Sequence, residues 1–147
     1  MDTFLREIRQ YIYAQMVDTS VAPSAAETAH ALSCSPADAE GGYRALADAR
    51  MLVLEPGSTT IWMAMPFSNV QTAFTVIVAG RAYYANCAWD AFGIPAALGA
   101  EARIFTTCPD CGGVLERKVG AGTIPEARGL VHFALPARRW WEDVGFT

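Results

Sequence analysis

The stretch Arg81–Leu98, RAYYANCAWDAFGIPAAL, decides how the chain is read. RAYY is aromatic and extended in character, and from Cys87 the run CAWDAFGIPAAL turns helical. Asn86 stands at the junction and suits a helix N-cap. Cys87 then falls in the first turn, where unpaired amides and the helix dipole stabilise a thiolate. Asp90 follows three residues on, so both side chains share one helix face. By charge alone a neighbouring carboxylate raises a thiol's pKa. The opposed effects suit a pair that passes a proton better than a permanently ionised thiolate. A plainer reading also fits the two residues taken alone, with Cys87 a small buried hydrophobe and Asp90 an acid matching the dipole.

Outward from that turn the pattern alternates. QTAFTVIVAG upstream is β-branched and strand-like. ARIFTTC downstream is a strand, CPDCGGVLERKV a knuckle turn into a strand, and GAGTIPEARG a loop. LVHFALP reads as a further strand and ARRWWEDVG as a helix start. Near the N-terminus, residues 3–17 form an amphipathic helix with Phe4, Ile8, Tyr11 and Ile12 on one face. Ser24 with Glu27, and Ser35 with Pro36 and Asp38, start two more helices over 25–33 and 36–50. MLVLEPGSTTIWMAM is strand, Pro-Gly turn, strand. The expected fold is α+β: a winged-helix-like helical N-terminal part, residues 1–66, packed on a small mixed β-sheet domain, residues 67–147.

Composition narrows the function. The chain has 147 residues, 52% of them apolar, and a formal charge of −4 from 11 basic and 15 acidic side chains. That length suits one domain or two very small ones. The charge argues against a nucleic-acid partner, which needs a basic face. The third helix, SPADAEGGYRALADAR, would turn Asp38 and Glu40 toward phosphates. MDTFLREIRQ is charged and is no secretory signal. Gly57–Gly80 is uncharged, but Pro66, Ser68, Asn69 and Gln71 break it into two strands, which argues against a membrane span. Cys34, Cys87, Cys108 and Cys111 are expected to be reduced thiols in a cytoplasm.

The run from Arg81 to Cys108 resembles the core of the alkylmercury (organomercurial) lyases, the MerB family. The likeness lies in the aromatic-rich approach, C-A-x-D at 87–90, I-P-A-x-L-G at 94–99, and a second cysteine, Cys108, ending the next strand. It continues in LVHFALPARRWWEDVGFT, residues 130–147, and the N-terminal helices suit that family's helical region. The resemblance implies a small-molecule organomercurial substrate, cleaved to a hydrocarbon and Hg(II) without an organic cofactor. Cys87 matches the cysteine that binds mercury, and Asp90 the aspartate that relays a proton to the leaving carbon. Soft mercury takes thiolates naturally, and the departing carbon needs a general acid. Trp89 is expected to line an apolar pocket for the organic group.

In that family a second mercury-binding cysteine directly follows the segment resembling WWEDVGFT, and here the sequence ends at Thr147. Three expectations compete: a shortened chain, a binding-only relative, or a UGA codon read as selenocysteine after Thr147. The 147 residues alone are expected to bind mercury and to cleave it poorly. Cys108 and Cys111, in CPDCGG, have zinc-knuckle spacing, but with no second pair in the chain structural zinc is not expected. A redox role would want the motif opening a helix. Cys108 matches a family cysteine of structural character, and Cys111 is an addition that could serve as an accessory mercury thiol. Cys34 reads as core, His30 as solvent-facing and His132 as a polar strand position. Two rivals come from other classes: a non-catalytic thiol metal-binding protein using Cys87, Cys108 and Cys111, and a winged-helix metal-responsive regulator.

Overall fold

The computed structural model describes residues 2–120, 131–133 and 135–145. Three helices come first: α1 (Thr3–Thr19), α2 (Ala25–Leu32) and α3 (Pro36–Asp48). Each starts on a side chain that satisfies an unpaired amide. Asp2 accepts from the Phe4 amide, Ser24 and Glu27 close a capping box, and Ser35 accepts from the Asp38 amide ahead of Pro36. α1 buries Ile8, Ile12 and Met16 at four-residue spacing. Full burial of each such side chain stabilises by about 1.5–3 kcal/mol. Gly42 of α3 faces Ile8 so closely that a Cβ there would overlap the Ile8 side chain. Tyr43 is fully buried, yet its hydroxyl bonds the Thr28 hydroxyl at 2.7 Å and the Pro23 carbonyl at 3.0 Å.

The strands are β1 (Val53–Leu54), β2 (Ile61–Ala64), β3 (Phe67–Ser68), β4 (Phe74–Val78), β5 (Arg81–Ala85), β6 (Ala102–Thr107) and β7 (Val114–Val119). They form one sheet in the order β1-β2-β3-β5-β4-β6-β7. Among the described residues every strand pairing is antiparallel, where a mixed sheet was expected. The reason is local. QTAFTVIVAG and RAYY are not one extended run but a tight hairpin, turned by Ala79 and Gly80 at φ of 49° and 82°. Two central residues with positive φ give the turn whose twist suits antiparallel strands. The β1–β2 hairpin that follows the three helices joins the same sheet through β3, so the hydrogen-bonded ladder runs on across position 66.

Helix α4 (Ala88–Leu98) packs across β4, β5 and β6. It buries Ala91, Ile94 and Pro95 and ends on Gly99, left-handed at φ 59°. Gly93 sits where an added Cβ would meet Pro66 at 3.2 Å, which ties α4 to the β2–β3 turn.

The C-terminal segment departs from expectation. Val131–Phe133, expected in a strand, have no ladder pairing. Phe133 instead stacks on Trp140 at 5.1 Å, and the Trp140 indole donates to the Leu135 carbonyl. Ala137–Glu142 is a 3-10 helix. Arg50 lies over the Trp141 ring at 5.4 Å, and Gly145 abuts Trp62 of β2. The loop expected at GAGTIPEARG lies outside the described residues after Gly120. Among the described residues, no helix is long and apolar enough to cross a membrane.

Candidate functional site

The sheet delivers the site. Ala85, the last residue of β5, pairs with Phe67 on one side and Phe74 on the other, and its carbonyl accepts the Thr72 hydroxyl at 2.5 Å. The chain leaves this fixed point through Asn86 and Cys87 and enters α4 at Ala88. Cys87, not Asn86, is the N-cap, with extended backbone and no side-chain capping bond. Its carbonyl accepts the Ala91 amide at 2.9 Å. A thiol is a poor cap acceptor, so Sγ is left to face the first turn.

There Sγ lies 3.8 Å from Asp90 Oδ2. Asn86, freed from capping, donates its side-chain amide to the same oxygen at 3.0 Å. Two residues expected to act together are therefore brought together, with Asn86 as a third member that sequence reasoning had placed in another role. Its four-residue spacing to Asp90 was the signal that could have found it. Asn86 Oδ1 is buried and makes no hydrogen bond.

Both acids are held toward their neutral forms. Burial pushes the Cys87 thiol up; the Asp90 amide pulls it back, and the Asp90 charge adds to the rise. The thiolate stabilisation expected from the helix start is present but outweighed by desolvation. Burial also raises the Asp90 carboxyl, against the lowering effect of the Asn86 and Cys87 hydrogen bonds. The result is a thiol and a carboxyl arranged to share a proton.

Tyr13 of α1 lies within electrostatic reach of Asp90. The Tyr13 hydroxyl donates to the Met65 carbonyl at 2.8 Å, and its ring meets Phe67 edge-on at 6.5 Å. Burial raises the Tyr13 phenol, and the Asp90 charge contributes. Arg9 lies over the Tyr13 ring at 5.5 Å. An open cavity of about 400 Å³ runs along Arg6, Arg9, Gln10 and Tyr13. Trp89, expected to line a pocket, is 65% exposed. It stands on the side of α4 away from the buried Ala91 and Ile94.

The remaining thiols separate. Cys34 packs half-buried against the core, and His30 is exposed as expected. His132 is exposed too. Cys108 and Cys111 lie on the β6–β7 turn, two strands from β5 in the sheet order. Among the described residues, no group of three or more His, Cys, Asp or Glu side chains could hold a metal ion. Cys87, Cys108 and Cys111 are thus not one cluster. In α3, Glu40 pairs with Arg44 at 2.9 Å and Asp38 bonds Ser35, so the helix offers no free basic face.

Comparison with known proteins agrees with this architecture. The alkylmercury lyase family model matches residues 67–147. A solved structure, the mercury-bound form of MerB2, superposes with a TM-score of 0.68 and 21% identity, over 86% of this chain and 60% of that one. At that identity the likeness is one of fold, and the chain spans about 60% of that structure's length. No curated protein matches the chain.

Proposed function

The chain belongs to the alkylmercury lyase family, and from that premise we propose that it serves protonolysis of carbon–mercury bonds, with Cys87 as mercury ligand and Asp90 as proton relay. The observation that carries the reading is the 3.8 Å approach of Cys87 Sγ to Asp90 Oδ2 at the mouth of α4. Mercury of R–Hg⁺ binds Cys87 as the thiol proton passes to Asp90. A second thiolate adds to mercury and weakens the carbon–mercury bond. The bonding electron pair leaves with carbon, which takes the proton from Asp90. One thiol proton ends on the hydrocarbon, the other in solvent, and Hg(II) stays on two sulfurs. Mercury enters and leaves as substrate and product, and no organic cofactor takes part.

Among the described residues no further His, Cys, Asp or Glu completes a metal-holding group with Cys87 and Asp90. In the proposal, the second thiolate comes from a thiol co-substrate. The four free cysteines suit a reducing compartment, so the proposal places the protein in a cytoplasm. The four free thiols also fit a second reading, a protein that holds mercury without cleaving its bond to carbon. Methylmercury with excess monothiol separates the two. Methane release that Asp90→Asn abolishes supports the lyase. Stoichiometric mercury uptake with no methane supports the binder.

A further inference from the structure

The β6–β7 hairpin carries chemistry that the proposed reaction leaves unused. Thr107 pairs with Val114, and the turn is closed by Cys108 N–H to the Gly113 carbonyl and Gly112 N–H to the Cys108 carbonyl, both 2.8 Å. Gly112 takes the left-handed φ of 68° this closure requires. The Gly112 amide on the Cys108 carbonyl folds the chain back, so Cys111, the residue before it, returns toward Cys108. Cys108 is half-buried and Cys111 exposed, so both sulfurs are open to a ligand from solvent.

We propose that Cys108 and Cys111 form a two-thiolate site for a soft, linear-coordinating cation, Hg(II), separate from the Cys87–Asp90 pair. Ligand number argues for that ion. Structural zinc wants four ligands, and among the described residues no cluster of three forms. A cation content with two soft sulfurs fits the pair. Binding forms two Hg–S bonds and releases two thiol protons, or exchanges two carrier thiols that take those protons up. The oxidation state of mercury does not change.

Sheet register gives the site its place. Phe74 pairs with Ala85 and Thr75 with Phe105, so β5 and β6 run to the same end of the sheet. Cys87 lies two residues beyond Ala85 and Cys108 three beyond Phe105, just past the ends of β5 and β6, strands two apart and so about 10 Å laterally. The pair is positioned to receive Hg(II) released at Cys87, a role that rests on the lyase reading; the binding itself does not.

The test uses inorganic Hg(II), so its outcome is independent of carbon–mercury cleavage. Reduced Cys87→Ala protein is titrated against a competing monothiol. The site predicts one tight equivalent per chain, a thiolate-to-mercury ultraviolet band, and two sulfurs per mercury by X-ray absorption. Adding Cys111→Ser, an exposed change that leaves the fold intact by circular dichroism, lowers affinity about 10²–10⁴-fold as chelation is lost. Equal affinity without Cys111, no uptake against the monothiol, or mercury bound by four sulfurs between two chains would each overturn it.

Discussion

Asp90 Oδ2 is shared: it lies 3.8 Å from the Cys87 thiol and accepts the Asn86 amide at 3.0 Å. One carboxylate oxygen thus faces the group that must lose a proton while a neighbour fixes its direction. Several consequences can be measured.

Asn86 lowers the Asp90 carboxyl against the upward push of burial. Asn86→Ala removes that opposition. Asp90 must be ionised to take the Cys87 proton, so the acid limb of the kcat/KM profile for methylmercury moves to higher pH. The loss of a positioned hydrogen bond should also lower kcat about tenfold. An unmoved limb would mean that Asn86 does not act through Asp90.

The same burial has a stability consequence. The folded Asp90 pKa is raised, so its contribution is fully present below the unfolded value and is lost as pH rises through the folded value. Asp90→Asn stays neutral throughout. Thermal melts should show the variant more stable than the native chain at pH 7, with the gap closing below about pH 4, the ordinary aspartate range. A gap that widens in acid contradicts the assignment.

Ala79 holds φ 49° in the β4–β5 turn. A left-handed L-residue costs about 1–2 kcal/mol, and glycine returns about 0.5–1 kcal/mol of that as chain entropy. Ala79→Gly should therefore stabilise by about 0.5–1 kcal/mol in urea unfolding. Destabilisation would show that the turn is held by something other than its backbone geometry.

Tyr43 is buried, and its phenol is pushed up to about 12, chiefly by desolvation. Tyr43→Phe leaves the Thr28 hydroxyl and Pro23 carbonyl without this partner. Unfolding free energy should fall by about 1–3 kcal/mol.

For the three N-terminal helices the expectation is that they do not read duplex DNA. Glu40 occupies Arg44, and the chain carries a net charge of −4. Gel-shift assays at low salt should detect no specific duplex binding, and a salt-sensitive complex would revive the regulator reading.

Helix starts were legible because they depend on near neighbours: the Ser24–Glu27 box and the Ser35–Pro36 start read directly from spacing. The Cys87–Asp90 pairing was legible for the same reason, since three residues of helix bring them together. Asn86 was misassigned because asparagine serves as a cap or as an amide donor, and only the actual start of α4 decides. The β4–β5 turn was missed because Ala-Gly lacks the usual Asn-Gly signal. LVHFALP has strand composition, but the packing of Phe133 on Trp140, seven residues on, is a tertiary contact that alternation cannot reveal. That Tyr13 feels the Asp90 charge was likewise hidden, because the two lie on elements far apart in sequence.

The most direct test is methane release from methylmercury in deuterated buffer with excess monothiol, comparing the native chain with Asp90→Asn. The account predicts monodeuterated methane from the native chain, its rate falling about 10²–10⁴-fold in the variant, while mercury uptake at Cys87 persists. Equal rates in the two proteins, or no methane from the native chain while mercury binds, would contradict it.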